Sequence, residues 1–140
     1  MSPEIDVKIR SSFAKQSMMQ TMGATVADVS DGSVTLAAPI LDTCQQQHGF
    51  GHAGLTFGLG DSAAGYSALS VMPLDAEVLT SEMKIHLLSP AQGEHLEAVG
   101  KVVKPGKRLV IVQAEVFAVE GPKRTQIALM TGTMVPVLPR

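Results

Sequence analysis

The 140-residue chain has no tryptophan, one tyrosine and a single cysteine, Cys44. A single cysteine excludes an intrachain disulfide and favours a reducing compartment. Long apolar runs are also missing, so we expect neither a signal peptide nor a transmembrane helix. A net charge of −2 gives no large field of one sign, which argues against nucleic acid or an anionic membrane as a partner. Together these absences predict a soluble cytoplasmic protein.

The hydrophobic residues of the chain are mostly aliphatic. Hydrophobic residues make up 45% of the chain but aromatic residues only 4%, and the length suits one domain spanning residues 1–140. Residues 3–22 carry apolar side chains at helical spacing, and Gly23 ends that pattern. We therefore expect one amphipathic N-terminal helix within residues 1–22, followed by a core over residues 23–140.

The core is predicted to enclose one helix with antiparallel strands. Asp31-Gly32 favours a tight hairpin between two short strands. Residues 52–72 are long enough for a helix, but four interior glycines cost it about 4 kcal/mol relative to alanine, so it must be buried. Alternating segments joined by short turns at residues 104–107 and 120–123 then predict an antiparallel meander. The expected class is α+β.

The strand that follows the central helix alternates clearly along the sequence. Leu79, Met83 and Ile85 occupy odd positions, whereas Thr80 and the charged residues occupy even positions. Because successive side chains of a strand point to opposite faces, Leu79 is expected to share a face with Met83 and Ile85, with Thr80 on the other.

One stretch, QQQHGFGHAGLTFGLGDSAAGYSAL, contains the residues best suited to chemistry. Its lone carboxylate, Asp61, lies among small residues, and since aspartate is a poor helix former and is rarely buried, a functional role is favoured over a structural one. Burial would raise the pKa of Asp61 toward that of a useful base. A helix beginning near His52 would leave the backbone N–H of Ala53 or Gly54 free to polarise a carbonyl oxygen.

Several interpretations of this stretch stay open or are disfavoured. Asp61 could activate water or attack directly, and His52 could either act in the site or only orient the loop. A zinc site on His48 and His52 is disfavoured because glycines interrupt the helix between them. The GxGxxG match follows no strand, and a triad built on Ser62 or Ser67 lacks the G-x-S-x-G turn.

At these residues the chain resembles the hotdog-fold thioesterases of the PaaI-like group. That family carries an amide, a glycine, His-Gly-Gly, and an acid nine residues after the histidine. Here the corresponding residues are Gln46, Gly49, His52-Ala53-Gly54 and Asp61. The segments SEMKIHLLSPAQG and VVKPGKRLVIVQAEV are similar to the family's next strand and hairpin. Ala53 departs from the family's first glycine, and Gln46 replaces the asparagine of many relatives.

The resemblance implies a hotdog fold, in which an antiparallel sheet wraps around a long central helix, and hydrolysis of acyl-CoA without a metal or other cofactor. It implies Asp61 as base or nucleophile and the Ala53 N–H as oxyanion donor. Gln46 would place water or substrate, and the Thr80 hydroxyl would assist. The small residues at the helix start, including Gly54, would let the substrate approach closely. Because sites of this family form between subunits, we expect a homodimer that assembles into a homotetramer.

Coenzyme A carries phosphate groups, and the sequence contains one cluster of basic residues that could bind them. Lys104, Lys107 and Arg108 lie at one turn, which either binds the nucleotide end of coenzyme A or is an ordinary solvated hairpin tip. The alternative function is a hotdog protein that binds acyl-CoA without hydrolysing it, as a sensor or accessory subunit. A buried Asp61 argues against a mere binder, and the missing Asp-x-Asn-Pro-x-His segment argues against a hotdog dehydratase.

Overall fold

The computed structural model describes all residues, 1–140, as one antiparallel sheet packed against a long helix. The sheet has six strands in the order β1-β2-β4-β5-β6-β3, and the prediction of an α+β hotdog fold is confirmed. None of its helices combines the length and the apolar character needed to cross a membrane. In chain order the elements are α1 (Pro3–Ala14), α2 (Ser17–Thr21), β1 (Thr25–Ser30), β2 (Ser33–Pro39), α3 (Ala53–Leu69), β3 (Glu77–Leu87), β4 (His95–Pro105), β5 (Val110–Glu120) and β6 (Lys123–Val137).

The glycine-rich helix α3 is enclosed, as predicted, and it packs against β2, β3, β4 and β5. Its second half is buried throughout, from Ala63 to Leu69. A Cβ atom on Gly100 of β4 would lie 2.2 Å from the Ala63 carbonyl oxygen, so the strand backbone contacts the helix backbone directly. The helix therefore owes its stability to packing, which offsets the intrinsic cost of its glycines.

The β1–β2 hairpin forms as expected and positions the far end of α3. Gly32 adopts the left-handed conformation, with φ at +73°, which its turn requires. The Gly32 N–H then donates to the Ser70 hydroxyl at 2.8 Å, just beyond the last turn of α3. This turn therefore marks the end of the molecule where α3 finishes.

The prediction of one continuous N-terminal helix is wrong. The helix breaks after Ala14, because Gln16 leaves the helical region with ψ at 99°, and a second short helix starts at Ser17. The break is compensated by a tertiary contact, since the Gln16 side-chain amide donates to the Tyr66 hydroxyl at 2.6 Å. Helical spacing of apolar residues continues across the break, which is why the sequence pattern does not show it.

The predicted alternation of β3 is also wrong in its first half. Thr80 pairs with Met134 and Glu82 pairs with Thr133, so Ser81 is left over as a β-bulge. The extra residue reverses which positions face α3. Leu79 is 61% exposed, and Thr80 instead points toward the helix and bonds to Asp61. A small polar residue such as Ser81 gives no apolar signal that would reveal the bulge.

Candidate active site

The start of α3 presents one free backbone donor, the N–H of Ala53. His52 caps the helix, and its ring Nδ1 accepts the Gly54 N–H at 2.8 Å. The next two N–H groups, those of Leu55 and Thr56, donate to the His52 carbonyl oxygen at 2.9 and 3.3 Å. The exposed Ala53 N–H has no partner in the protein. Of the two donors that the sequence left open, Gly54 serves the cap and Ala53 is available to a substrate.

Gln46 supplies a second donor to the same place. Its side-chain oxygen accepts the N–H groups of His48 and Phe50, at 2.5 and 3.3 Å. The loop between them closes through Gly49, whose φ is +86°. The oxygen is held by the loop, whereas the amide nitrogen of Gln46 has no acceptor in the protein and keeps both of its hydrogens for a ligand. Gln46 and Ala53 line one cavity of about 440 Å³.

Asp61 lies about two turns further along α3 and is half-buried. Its Oδ1 accepts a 2.8 Å hydrogen bond from the Thr80 hydroxyl, whereas its Oδ2 has no partner in the protein. Burial raises the pKa of Asp61 above its ordinary value of 3.8, and the hydrogen bond from Thr80 opposes this by favouring the charged form. Asp61 and Thr80 line a separate cavity of about 220 Å³. A carboxylate with a raised pKa and one free oxygen is suited to act as a base or a nucleophile.

The two cavities are too far apart to act on one carbonyl group within a single chain. Ala53 and Asp61 are eight residues apart, which corresponds to roughly 12 Å of helix axis. However, residues of the edge strand β3, or just beyond it, line both cavities. The Asp61 cavity includes residues 77–80 at the start of that strand, and the Ala53 cavity includes residues 87–88 at its end.

The basic cluster lies elsewhere. Lys104 lies near the end of β4, and Lys107 and Arg108 lie in the turn that follows it. All three are exposed, and none has a carboxylate oxygen within 4.0 Å. This turn lies at the end of the molecule where α3 finishes, because the neighbouring Val102 bonds to Gly32. The structure therefore does not bring the cluster near Ala53 of the same chain.

The residues considered for a zinc site and for a serine triad are not arranged as either site would require. No three histidine, cysteine, aspartate or glutamate side chains converge as metal ligands would. His48 is exposed, and His52 uses its Nδ1 for the helix cap. The alternative nucleophile Ser67 is buried and donates to the Ala64 carbonyl oxygen at 2.6 Å, a local helix interaction.

Three residues of the Asp61 cavity were missed by the sequence reasoning: Ser12, Gln16 and Tyr66. Tyr66 carried a usable signal, since it is the chain's one tyrosine and lies on the glycine-rich helix. Ser12 and Gln16 carried none, because polar residues of an amphipathic helix are ordinarily assigned to the solvated face.

Comparison with known proteins places this arrangement in a family. A Silicibacter pomeroyi thioesterase family protein of known crystal structure is 40% identical, with a TM-score of 0.94 over 96% of this chain and 99% of that one. A Halobacterium salinarum protein with a provisional esterase name is 30% identical over 114 residues, which cover 77% of this chain and 74% of that protein. The Escherichia coli PaaI protein of the phenylacetic acid degradation operon shares the fold, with a TM-score of 0.84 at 18% identity over 96% of this chain and 94% of its own. The profile of the thioesterase superfamily matches residues 48–125, more than half of the sequence, and the chain therefore belongs to that superfamily of thioester hydrolases.

Proposed function

We propose that the protein is an acyl-CoA thioesterase of the PaaI-like group, with an active site completed between two chains. The observation that carries the proposal is the separation of the site into two halves. One half has two donors, from Ala53 and Gln46, that line one cavity, and the other has the carboxylate of Asp61. Each half borders the edge strand β3, whose outer side is unpaired, so a second copy can complete both.

The edge strand β3 supports a two-fold dimer. It is 11 residues long and unpaired on its outer side, and the exposed apolar side chains Leu79, Leu87 and Leu88 lie along or just beyond it. A long exposed edge with apolar residues favours pairing with another strand. Antiparallel pairing of β3 with its copy sets the start of one strand against the end of the other. The Asp61 cavity of each chain then meets the Ala53 cavity of its partner, and the homodimer holds two sites. Two such dimers form the proposed homotetramer.

Within each composite site the chemistry follows from the donors and the carboxylate. The thioester carbonyl oxygen accepts from the Ala53 N–H and from the Gln46 amide of the partner subunit, where the positive end of the helix dipole adds to the field. Ionised Asp61 acts through its free Oδ2, either by removing a proton from the attacking water or by attacking the carbonyl carbon itself. In the first route the carbon–sulfur bond breaks, the leaving thiolate takes the proton held by Asp61, and the water oxygen remains in the released acid. In the second route the acyl group passes to Asp61 as a mixed anhydride as the thiolate leaves; water then hydrolyses the anhydride, which restores the carboxylate, releases the acid and supplies the proton of the thiol.

The basic turn is proposed to hold the phosphates of coenzyme A. Lys104, Lys107 and Arg108 lie at the end of the molecule where β3 begins, and the Asp61 cavity opens beside that start. Three unpaired cations on an exposed turn give a local positive field in an otherwise acidic protein. Replacing Lys107 and Arg108 by alanine should raise KM for acyl-CoA more than it lowers kcat. With one cysteine and a coenzyme A substrate, the cytoplasm is the proposed location.

The test is release of free thiol from a panel of short, medium, long and aryl acyl-CoAs, with Asp61→Asn as the comparison. We expect hydrolysis by the wild-type protein and a large loss in the variant. Equal rates for both would contradict the role of Asp61. Tight binding of acyl-CoA without thiol release from any substrate would establish the non-catalytic alternative instead.

A further inference from the structure

Phe57 is a large aromatic side chain that the fold leaves at the surface. It lies on the central helix α3, and 36% of it is exposed. It is the one aromatic residue among the large hydrophobic side chains that are exposed on this protein. Aromatic residues are enriched in the cores of protein interfaces, so this ring is a candidate interface residue.

Phe57 lies midway between the two positions of α3 that are proposed for catalysis. Ala53 precedes it by four residues and Asp61 follows it by four, so it is roughly 6 Å along the helix axis from each. At about 100° of rotation per residue, the direction of its side chain also bisects the directions of those two residues. Phe57 lines neither of the two cavities. It therefore occupies the part of the helix surface that lies between them.

A two-fold axis turns this midpoint into a contact of the residue with its own copy. In the proposed dimer, Asp61 of each chain meets Ala53 of its partner, so the two copies of α3 run antiparallel past each other. A two-fold interface uses the same surface on both chains, and one that pairs position 61 with position 53 pairs position 57 with itself. Each Phe57 ring then lies beside the axis and faces the ring of the partner subunit.

The edge strand β3 has its own midpoint at the same level. The cavity that holds the carboxylate is lined by residues 77–80, and the cavity that holds the backbone donor is lined by residues 87–88. Setting one range against the other in an antiparallel pair puts the axis near Met83. Met83 is half-buried and packs against the core, so it lies on the side of the sheet that carries α3. The axis therefore passes beside an aromatic ring on the helix and an adaptable thioether on the strand.

We propose that the two copies of Phe57 pack ring against ring on the two-fold axis and thereby set the distance between Asp61 of one chain and Ala53 of the other. The inference rests on the composite site of the proposed function. Paired aromatic rings prefer offset or edge-to-face contact with centroids about 4.5–7 Å apart, a narrow range that fixes the separation of the two helices. Each active site lies about one helical turn from this contact, on opposite sides of it. Phe57 is thus a positioning residue that touches neither the substrate nor the reacting atoms.

The first experiment places a cysteine on the axis. Cys44→Ala removes the one native cysteine, and in that background Phe57→Cys should be joined to its copy by a short bifunctional maleimide. The product is a covalent dimer on a denaturing gel. Val71→Cys is the matched control, because Val71 is similarly exposed, at 40%, but lies past the end of α3. The control should run as a monomer on the same gel.

Kinetics then test the positioning role. Phe57→Ala should lower kcat about 10- to 100-fold with KM for acyl-CoA nearly unchanged, because a shift of about 1 Å between reacting groups has an effect of this size. Phe57→Leu should lose less, since its longer side chain still holds the helices apart. Both are measured at protein concentrations at which sedimentation shows a dimer, so that dissociation does not contribute. Val71→Ala should leave both constants unchanged.

The outcomes separate this inference from the proposed function. If the wild-type dimer hydrolyses acyl-CoA but Phe57→Cys crosslinks no more than Val71→Cys, the inference alone is overturned. The same holds if Phe57→Ala keeps the wild-type kcat. Crosslinking of Phe57→Cys in a protein that hydrolyses no acyl-CoA would instead overturn the proposed function and support the contact on the axis. If Phe57→Ala does not fold, Phe57→Leu and the crosslink still decide the matter, since Phe57 lies outside the buried core.

Discussion

The Thr80 hydroxyl donates a 2.8 Å hydrogen bond to Oδ1 of Asp61, from the edge strand to the central helix. The bulge at Ser81 makes this contact possible, because without it Thr80 and Met83 would lie on opposite faces of β3. The bond fixes one carboxylate oxygen and leaves the other free. It also opposes the effect of burial on the pKa of Asp61.

Thr80→Val should shift the acid side of the pH–rate profile toward higher pH. In the proposed mechanism the ionised form of Asp61 is the active one, so the rate should fall as pH drops through its pKa, which burial already holds above 3.8. Removing the hydroxyl takes away the interaction that lowers this pKa and leaves burial unopposed. The measurement is kcat/KM against pH. Thr133→Val is the matched control, because it removes a 2.8 Å hydroxyl–carboxylate bond to Glu82 on the exposed face and should leave the profile in place.

Asp61→Asn should lower kcat by about 10²- to 10⁴-fold, the usual loss when a catalytic acid–base group is removed. It should also raise Tm at neutral pH. The folded-state pKa of Asp61 is raised, so the carboxyl favours folding fully below pH 3.8 and this contribution is lost as pH rises through the folded-state pKa. Asparagine does not ionise, so the gain in Tm should disappear in acid.

Asp42 is exposed, and Asp42→Asn is the control for loss of one carboxylate charge, which should leave kcat unchanged. A drop in Tm for Asp61→Asn at neutral pH would show that the carboxylate is held for structural reasons. Thermal melts at pH 7 and pH 3 supply both comparisons.

Ala53→Pro tests the backbone donor directly. Proline is tolerated at the first position of a helix, and His52, with φ at −64° and ψ at 146°, already has the extended conformation favoured before proline. The substitution therefore deletes one N–H with little disturbance. We expect kcat to fall by about 10²- to 10³-fold, as for loss of an oxyanion donor, with Tm nearly unchanged. An unchanged kcat would remove Ala53 from the mechanism.

A composite site predicts rescue between two inactive proteins. Asp61→Asn and Ala53→Pro spoil opposite halves, so a mixed dimer has one site with both halves intact and one with both spoiled. Equal mixing after dissociation and reassociation should restore about a quarter of the wild-type activity, since half of the dimers are mixed and each has one working site. Mixing either variant with itself is the control. No rescue, or a monomer by sedimentation, would contradict the proposed dimer.

The sequence predicted elements whose signal is local. The Asp31-Gly32 hairpin, the buried glycine-rich helix and the long strands all formed, because turn chemistry and periodicity act over a few residues. Asp61 was predicted to be functional because an aspartate is rarely buried and its carboxylate is energetically unfavourable in a buried helix of small residues. The pairing of Thr80 with it came from the family resemblance, since simple alternation put that side chain on the wrong face.

What sequence could not show depended on contacts between distant segments. The break at Gln16 is compensated by Tyr66, which lies 50 residues away. The choice between the Ala53 and Gly54 donors depended on the rotamer of His52, whose ring takes one of them. Neither contact leaves a periodic pattern or a turn residue in the sequence from which it could be predicted.

The missing side chain at Gly100 also has a mechanical consequence. Because the strand touches the helix backbone at Ala63, only two residues beyond Asp61, the height of the Asp61 backbone above the sheet is set by main-chain atoms. Main-chain atoms have no alternative rotamers, so repacking of the surrounding methionines leaves this height unchanged. The position of the Asp61 Cα atom is thus held by backbone-to-backbone contact, while the side chains around the carboxylate can still change their packing.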